Sequence, residues 1–263
     1  MRGVTQLRDV VYVVTNRYVG RRRGWSSAIR RYNATTHQRL ADIVIMGWCF
    51  PFDIVACELT CQLYVADNSE CVWRVSSDGV DTERWLPKSP SDRFKPWTLS
   101  VTSSRLLVTS RFDRQLRQFD AAGGGELRRV GLPDYMDPYN AVESPTATFI
   151  VAHINTQLKQ WQVSEVSTEG QVLRQFSGLL GWPRHIAVDR QGNIFVADSA
   201  SGIGDRAYGR ILLLDAQLSQ RRVIIDERQL YGKPHRLCYT EQSGQLLVGF
   251  EKGAVTVFDV LRR

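Results

Sequence analysis

Short apolar segments recur along the chain at nearly constant spacing, and each has the length and β-branched content of a β-strand. A valine stands at the centre of every segment, and consecutive valines lie 52, 43, 43, 45 and 52 residues apart. A period of about 40–45 residues with several short strands in each copy is typical of β-propeller blades. The pattern therefore predicts six copies of one unit, centred on Val13, Val65, Val108, Val151, Val196 and Val248.

A second strand follows each central segment, with two apolar residues three positions apart and a polar residue after them. The assigned pairs are Ile29/Tyr32, Val72/Val75, Leu116/Phe119, Leu158/Trp161, Ile211/Leu214 and Val255/Phe258. Five copies also begin with a proline, and proline at the first residue of a strand costs no ladder hydrogen bond. These prolines are Pro51, Pro96, Pro138, Pro183 and Pro234.

The first and fifth copies are longer than the others, and in both the extra residues fall between the central segment and the second strand. The insertions cover residues 16–28 and 199–210. We expect both to be loops on the same face of the molecule.

The predicted fold is all-β: a single domain over residues 1–263 that forms a six-bladed β-propeller with blades of three to four antiparallel strands. A β-sandwich is the structural alternative, but it would not need six copies in phase. The N-terminal segment is too short to donate an additional strand. We therefore expect a three-stranded sixth blade, or a chain that is part of a longer protein.

Two copies carry a more specific pattern. The fifth copy, residues 182–199, reads WPRHIAVDRQGNIFVADS, and the second repeats the letters YVADN at 64–68. This resembles an NHL repeat, in which a proline, a strand ending in Val-Asp, a Gly-Asn turn and a strand ending in Val-Ala-Asp-Ser follow one another. The resemblance is to the NHL domain of tripartite-motif proteins, and it implies a module that binds protein or RNA.

The net charge of +7 becomes informative once the propeller register assigns residues to its two faces. The face that holds both insertions receives thirteen cations and six anions. We take this basic face as the candidate binding surface. Its candidate binding residues are Arg17, Arg21, Arg22, Arg23, Trp25, Arg111, Arg114, Arg184, Arg206, Arg210 and Arg236.

Aromatic residues are interleaved with these cations on the same predicted face. They are Tyr18, Trp25, Phe52, Trp97, Phe112, Tyr139, Trp182 and Tyr208. Arginine and aromatic side chains are favoured at protein interfaces, and cations beside stacking platforms also suit single-stranded RNA. We predict a non-catalytic scaffold with a protein partner, and single-stranded RNA is the alternative ligand.

The competing hypothesis is that the protein is an enzyme, a metal-dependent hydrolase or lactonase of the six-bladed type. The residues two positions after the repeat prolines should ring the central channel, and Asp53, Asn140 and His185 could form a weak metal site there. Arg236, at the equivalent position, would repel a cation, and no glutamate adds a further anionic ligand. We therefore assign no catalytic residue, no metal ligand and no cofactor.

Five cysteines occur without a C-x-x-C pair, which argues against a disulfide framework or a structural zinc site. We find no signal peptide and no apolar stretch long enough for a membrane helix. These observations predict a cytoplasmic protein without membrane association. We expect a monomer or one part of a larger multidomain protein.

Overall fold

The computed structural model describes residues 3–18, 25–45, 50–67, 70–86, 94–201, 207–251 and 253–260. Their strands form six antiparallel sheets in chain order, which we call blades 1 to 6. Blade 1 consists of β1 (Gly3–Leu7), β2 (Val10–Tyr18) and β3 (Trp25–Asn33). Blade 2 consists of β4 (Pro51–Cys57), β5 (Gln62–Asp67), β6 (Val72–Ser76) and β7 (Thr82–Leu86). Blade 3 consists of β8 (Thr98–Thr102), β9 (Arg105–Ser110), β10 (Gln115–Asp120) and β11 (Glu126–Gly131). Blade 4 consists of β12 (Met136–Glu143), β13 (Phe149–Asn155), β14 (Gln160–Val166) and β15 (Val172–Gln175). Blade 5 consists of β16 (Pro183–Val188), β17 (Ile194–Ser201), β18 (Ala207–Leu214) and β19 (Gln220–Ile225). Blade 6 consists of β20 (Pro234–Thr240), β21 (Gln245–Phe250) and β22 (Val255–Asp259).

The predicted six-bladed β-propeller is confirmed. The first strand of each blade is innermost, and each blade packs on the next through an apolar cluster at the seam between them. A sixth cluster joins blade 6 to blade 1, which closes the ring. It has four buried members among the described residues, Val4, Val11, Val13 and Leu247, whereas the seam between blades 1 and 2 has eleven. Each of the other seams has at least nine, so the closing seam is the thinnest in the described part of the chain.

The assignment of the second strand is confirmed in five blades and wrong in blade 4. There the residues opposite Ala152 and Phe149 are Val163 and Val166, five positions after the predicted Leu158 and Trp161. The hairpin of β13 and β14 pairs as far as Asn155 and Gln160, so it is longer than its counterparts in blades 2 and 3. As a result, Leu158 is exposed at the turn and Trp161 lies outside the blade core.

The described residues of the two insertions form strands and not the predicted loops. In blade 1 the ladder continues to Tyr18 opposite Trp25, and in blade 5 it continues to Ser201 opposite Ala207. Each insertion therefore extends its hairpin beyond the blade. Blade 6 has three strands among the described residues, as predicted, and blade 1 adds two isolated bridges from Arg39 and Ile43 to β3.

Within the described ranges there is no helix of the length and hydrophobicity that crossing a lipid bilayer requires.

Candidate functional site

Polar side chains join the innermost strands of blades 2 to 6 in sequence. The axial edge of an innermost strand has no neighbouring strand, so its backbone groups need partners from side chains. The residue two positions after the repeat proline provides them. The ties are Leu99 N to Asp53 Oδ2 (2.9 Å), Thr98 Oγ1 to Tyr139 O (3.2 Å), Ile186 N to Asn140 Oδ1 (2.8 Å) and Leu237 N to His185 Nδ1 (3.4 Å).

The tie from blade 6 passes over blade 1. Arg236 Nε donates to Asp53 Oδ1 at 3.1 Å and Nη2 donates to Phe52 O at 3.1 Å, and both acceptors belong to blade 2. In blade 1 the equivalent position is Gly3, which pairs with Val14 as Asp53 pairs with Ala66. A Cβ at Gly3 would lie 2.7 Å from the backbone nitrogen and from Cγ2 of Ile54. The close approach of the two strands therefore requires glycine at this position.

The three residues of the metal-site alternative accept these bonds between blades: Asp53 accepts two, and Asn140 and His185 accept one each. Burial lowers the pKa of His185 well below its usual range, and the Arg236 guanidinium acts in the same direction. Burial also raises the pKa of Asp53, against the opposing effects of Arg236 and two backbone N–H donors. In the part of the chain that the structure describes, no group of three His, Cys, Asp or Glu side chains is arranged to hold a metal ion.

Aromatic rings form a continuous arc across blades 2 to 5, on the face that carries the turns between second and third strands. We call this face the upper face and the set of rings the aromatic arc. Neighbouring ring centroids lie 4.6 to 6.4 Å apart, mostly edge to face, and Trp161 stacks on Trp182 at 5.4 Å. The members are Phe50, Phe52, Trp97, Phe112, Tyr139, Trp161 and Trp182.

Backbone bulges contribute to the placement of these rings. In blades 2 and 4 the strand register shifts at the residue after the repeat proline, which is Phe52 or Tyr139. A bulged residue leaves the alternation of its strand, so its side chain can be redirected. The sequence signal was the set of Pro-aromatic dipeptides at 51–52, 96–97 and 138–139. Trp161 was missed because it was assigned to the blade core.

Three predicted binding arginines lie along the aromatic arc. Arg111 is half-buried, places its guanidinium 5.5 Å from the Tyr139 ring centre and donates to Asp137 Oδ2 at 3.2 Å. Arg114 is half-buried in the same turn, in a left-handed conformation with φ of 49°. Arg184 is buried, with its guanidinium 3.1 Å from the Trp182 ring centre.

The other predicted binding residues are not part of the arc. Arg210 donates to Asp198 Oδ2 and to Leu179 O, at the edge of a surface groove of about 710 Å³. Arg236 is buried in its pair with Asp53. The backbones of Arg17 and Trp25 belong to β2 and β3, and their side chains are not described. Arg21, Arg22, Arg23 and Arg206 lie outside the described residues.

The upper face is less basic than the count from sequence indicated. Asp137 and Asp198 were not counted among its anions, yet they pair with Arg111 and Arg210. Lys95 pairs at 2.5 Å with Glu70, which the count had included. Three of the cations counted on this face, Lys95, Arg111 and Arg210, are therefore paired with carboxylates.

His153 is a buried histidine at the end of the central segment of blade 4, with Nε2 2.9 Å from Ser164 Oγ. Burial lowers its pKa to about 4, so folding favours the neutral ring. The contribution of His153 to the free energy of unfolding is complete above pH 6.5 and is lost as the pH falls towards 4.

We expect the loss in unfolding free energy between pH 7 and 5 to be about 2 kcal/mol smaller in His153→Gln than in the wild type. Urea unfolding at several pH values measures this, and parallel pH curves would contradict it.

Comparison with known proteins identifies the fold. No family model matches the sequence, and the search of curated proteins found no match. Among solved structures, a chain of the hydrazine synthase of Kuenenia stuttgartiensis has a TM-score of 0.66 at 14% identity, over 98% of this chain and 76% of that chain. A chain of the nidogen/laminin complex has a TM-score of 0.65 at 12% identity, over 90% and 83%. A chain of the mitotic checkpoint complex has a TM-score of 0.64 at 8% identity, over 100% and 87%.

These similarities include an enzyme and two protein assemblies, and at such low identity they establish the fold alone.

Proposed function

We propose that this propeller is a non-catalytic binding module of NHL-like type and that the aromatic arc of its upper face binds a protein partner. The observation that supports the proposal is the arc itself, which carries a highly exposed aromatic ring on a packed aromatic base. Phe112 is 68% exposed, and its ring contacts Trp97, which packs in turn on Tyr139. A rigid anchor of this kind beside arginines is typical of interface hot spots.

Further exposed apolar residues extend this surface towards blades 5 and 6. Leu158 lies at the hairpin turn of blade 4, and Leu179 and Tyr231 lie in the loops that lead into β16 and β20. Large exposed apolar side chains that share one face of a propeller favour a protein interface over a solvated surface.

Single-stranded RNA on the same face remains the alternative. It receives less support because RNA needs unpaired cations for its phosphates and open ring faces for its bases. Here Lys95, Arg111 and Arg210 are paired with carboxylates, and most rings of the arc pack on one another.

We expect Phe112→Ser to weaken peptide binding by about thirtyfold or more, because truncating a hot-spot aromatic residue costs at least ~2 kcal/mol. The ligands are twelve-residue peptides selected from a random phage-displayed library on the wild-type protein, with affinities measured by fluorescence anisotropy. Leu59→Ser is the matched control, because Leu59 is 69% exposed at a turn on the opposite face. It should change the affinities less than twofold.

Two results would oppose the proposal. Selected peptides that respond to Leu59→Ser and not to Phe112→Ser would place the binding surface elsewhere. Salt-sensitive binding of a single-stranded uridine 12-mer that Phe112→Ser abolishes, with no peptide selected, would favour the RNA alternative.

A further inference from the structure

The upper face has buried N–H donors without acceptors in blades 3 to 5. Asn140 is completely buried, its Oδ1 accepts the bond from Ile186, and its Nδ2 has no partner among the described residues. The indole nitrogens of Trp97 and Trp182 and Nε of Arg114 are likewise buried without an acceptor in the described ranges. Unsatisfied buried donors are costly, so these groups indicate missing acceptors.

The carboxylates of the same face are, by contrast, already bonded. Asp53 pairs with Arg236, Asp137 with Arg111 and Asp198 with Arg210, and Asp113 Oδ2 accepts from Ser110 Oγ. These bonds use only part of the acceptor capacity of the carboxylates, and Gln162 Oε1 is a buried acceptor without a donor among the described residues. The unpartnered N–H donors of the described residues nevertheless include Nε of a charged arginine, Arg114, and they favour an anionic, acceptor-rich group over a cation.

Arg184 provides the charge for such a group. It is 9% exposed, and its hydrogen bond among the described residues runs from Nη1 to Tyr139 Oη at 3.3 Å. The planar guanidinium carries five N–H donors, so most remain for another acceptor, and its fork matches a carboxylate. Arg184 and Asn140 belong to adjacent inner strands, which the bond from Ile186 N to Asn140 Oδ1 joins directly.

The arc also sets the distance to an apolar anchor. Trp97 contacts both Phe112 and Tyr139, with ring centres 6.4 Å and 6.1 Å away. The exposed Phe112 ring therefore lies within about four residues of extended peptide from Tyr139, whose hydroxyl contacts Arg184.

We propose that the upper face recognises an acidic peptide segment. An Asp or Glu carboxylate binds Arg184 and the free amide nitrogen of Asn140, and an apolar side chain a few residues away packs on Phe112. The inference rests on the proposed protein-binding function and specifies the partner's chemistry. The net charge of +7 adds a long-range attraction for such a segment. A phosphodiester chain suits the site less well, because the flanking cations that would follow its backbone are already paired.

The test uses the wild-type protein and the selected peptides, so it does not depend on the folding of any variant. Each acidic residue of a selected peptide is replaced in turn by its amide. We expect one Glu→Gln or Asp→Asn change to weaken binding by about tenfold or more, because a buried charge-assisted bond contributes roughly 1.5–3 kcal/mol. Selected peptides that lack acidic residues, or that bind equally well as amides, would overturn the inference.

A double-mutant comparison locates the carboxylate. In Arg184→Gln the same amide change should have less than a twofold effect, because its partner is gone. Arg190→Gln is the matched control, since Arg190 is exposed in blade 5 at the turn between β16 and β17, on the opposite face. It should keep the full tenfold discrimination. If Arg184→Gln does not fold, Arg184→Lys keeps the charge without the planar fork, and we expect it to reduce the discrimination in part.

The two levels of the proposal fail separately. Loss of acid preference with a retained effect of Phe112→Ser would overturn the acidic ligand and leave the protein-binding face in place. Absence of any effect of Phe112→Ser would remove both.

Discussion

Replacing Asp53 by alanine is expected to lower the free energy of unfolding by about 3–5 kcal/mol, the usual cost of removing one partner from a buried ion pair. The Asp53 side chain is 2% exposed and that of Arg236 is 4% exposed, so water cannot compensate for the lost charge. The change also removes the acceptor for the backbone N–H groups of Leu99 and Ile54. Equilibrium urea unfolding followed by tryptophan fluorescence gives the value.

This effect is large because the pair closes the ring. Blade 6 meets blade 1 across the thinnest apolar seam, and Arg236 reaches beyond blade 1 to Asp53 and Phe52 of blade 2. The pair therefore joins the second blade to the last one across Gly3, where no side chain intervenes. Because the pair spans blade 1, its loss should weaken the seams on both sides of that blade.

A double-mutant cycle separates the pair from its surroundings. The double variant Asp53→Ala/Arg236→Met should be more stable than the sum of the two single changes predicts, because it leaves no unpaired buried charge. Asp42→Ala, which breaks the exposed pair of Asp42 with Arg39, should leave the unfolding midpoint nearly unchanged. Strict additivity of the two buried substitutions would refute the closing role.

The repeat made most of this architecture predictable from sequence. Six in-phase valines identify six blades because every blade needs the same buried strand at the same place, whatever its loops do. The register of a hairpin has no such constraint when the hairpin lengthens. In blade 4, Leu158/Trp161 and Val163/Val166 both place apolar residues three apart, and the sequence alone does not distinguish them.

The candidate site was predictable to a smaller extent, since ion pairs depend on distant parts of the chain. Phe52, Trp97, Tyr139 and Trp182 were assigned to the correct face because the repeat prolines fix the start of each inner strand, and Phe112 because it follows a central segment. The charge on that face was overestimated. Asp137 precedes a repeat proline and Asp198 ends a central segment, and neither position indicates that the side chain meets an arginine.

Tyr139→Ala is expected to lower the free energy of unfolding by about 3–5 kcal/mol, as removal of a large buried aromatic ring does. Tyr139 is 6% exposed and contacts the rings of Trp97, Trp161 and Trp182, so it is the centre of the aromatic arc. The cavity would also leave the Arg111 guanidinium without its ring. Thermal and urea unfolding measure the loss of stability.

Tyr139→Phe separates the ring from its hydroxyl. It removes the 3.3 Å bond from Arg184 Nη1 and keeps every ring contact, so we expect a cost of about 1 kcal/mol. Binding of the selected peptides should follow the same order, with a large loss in the alanine variant and a small loss in the phenylalanine variant, at temperatures where both are folded. Equal stability and equal affinity of the two variants would mean that the ring does not organise the arc. The upper face would then act through its individual exposed side chains, without a shared aromatic base.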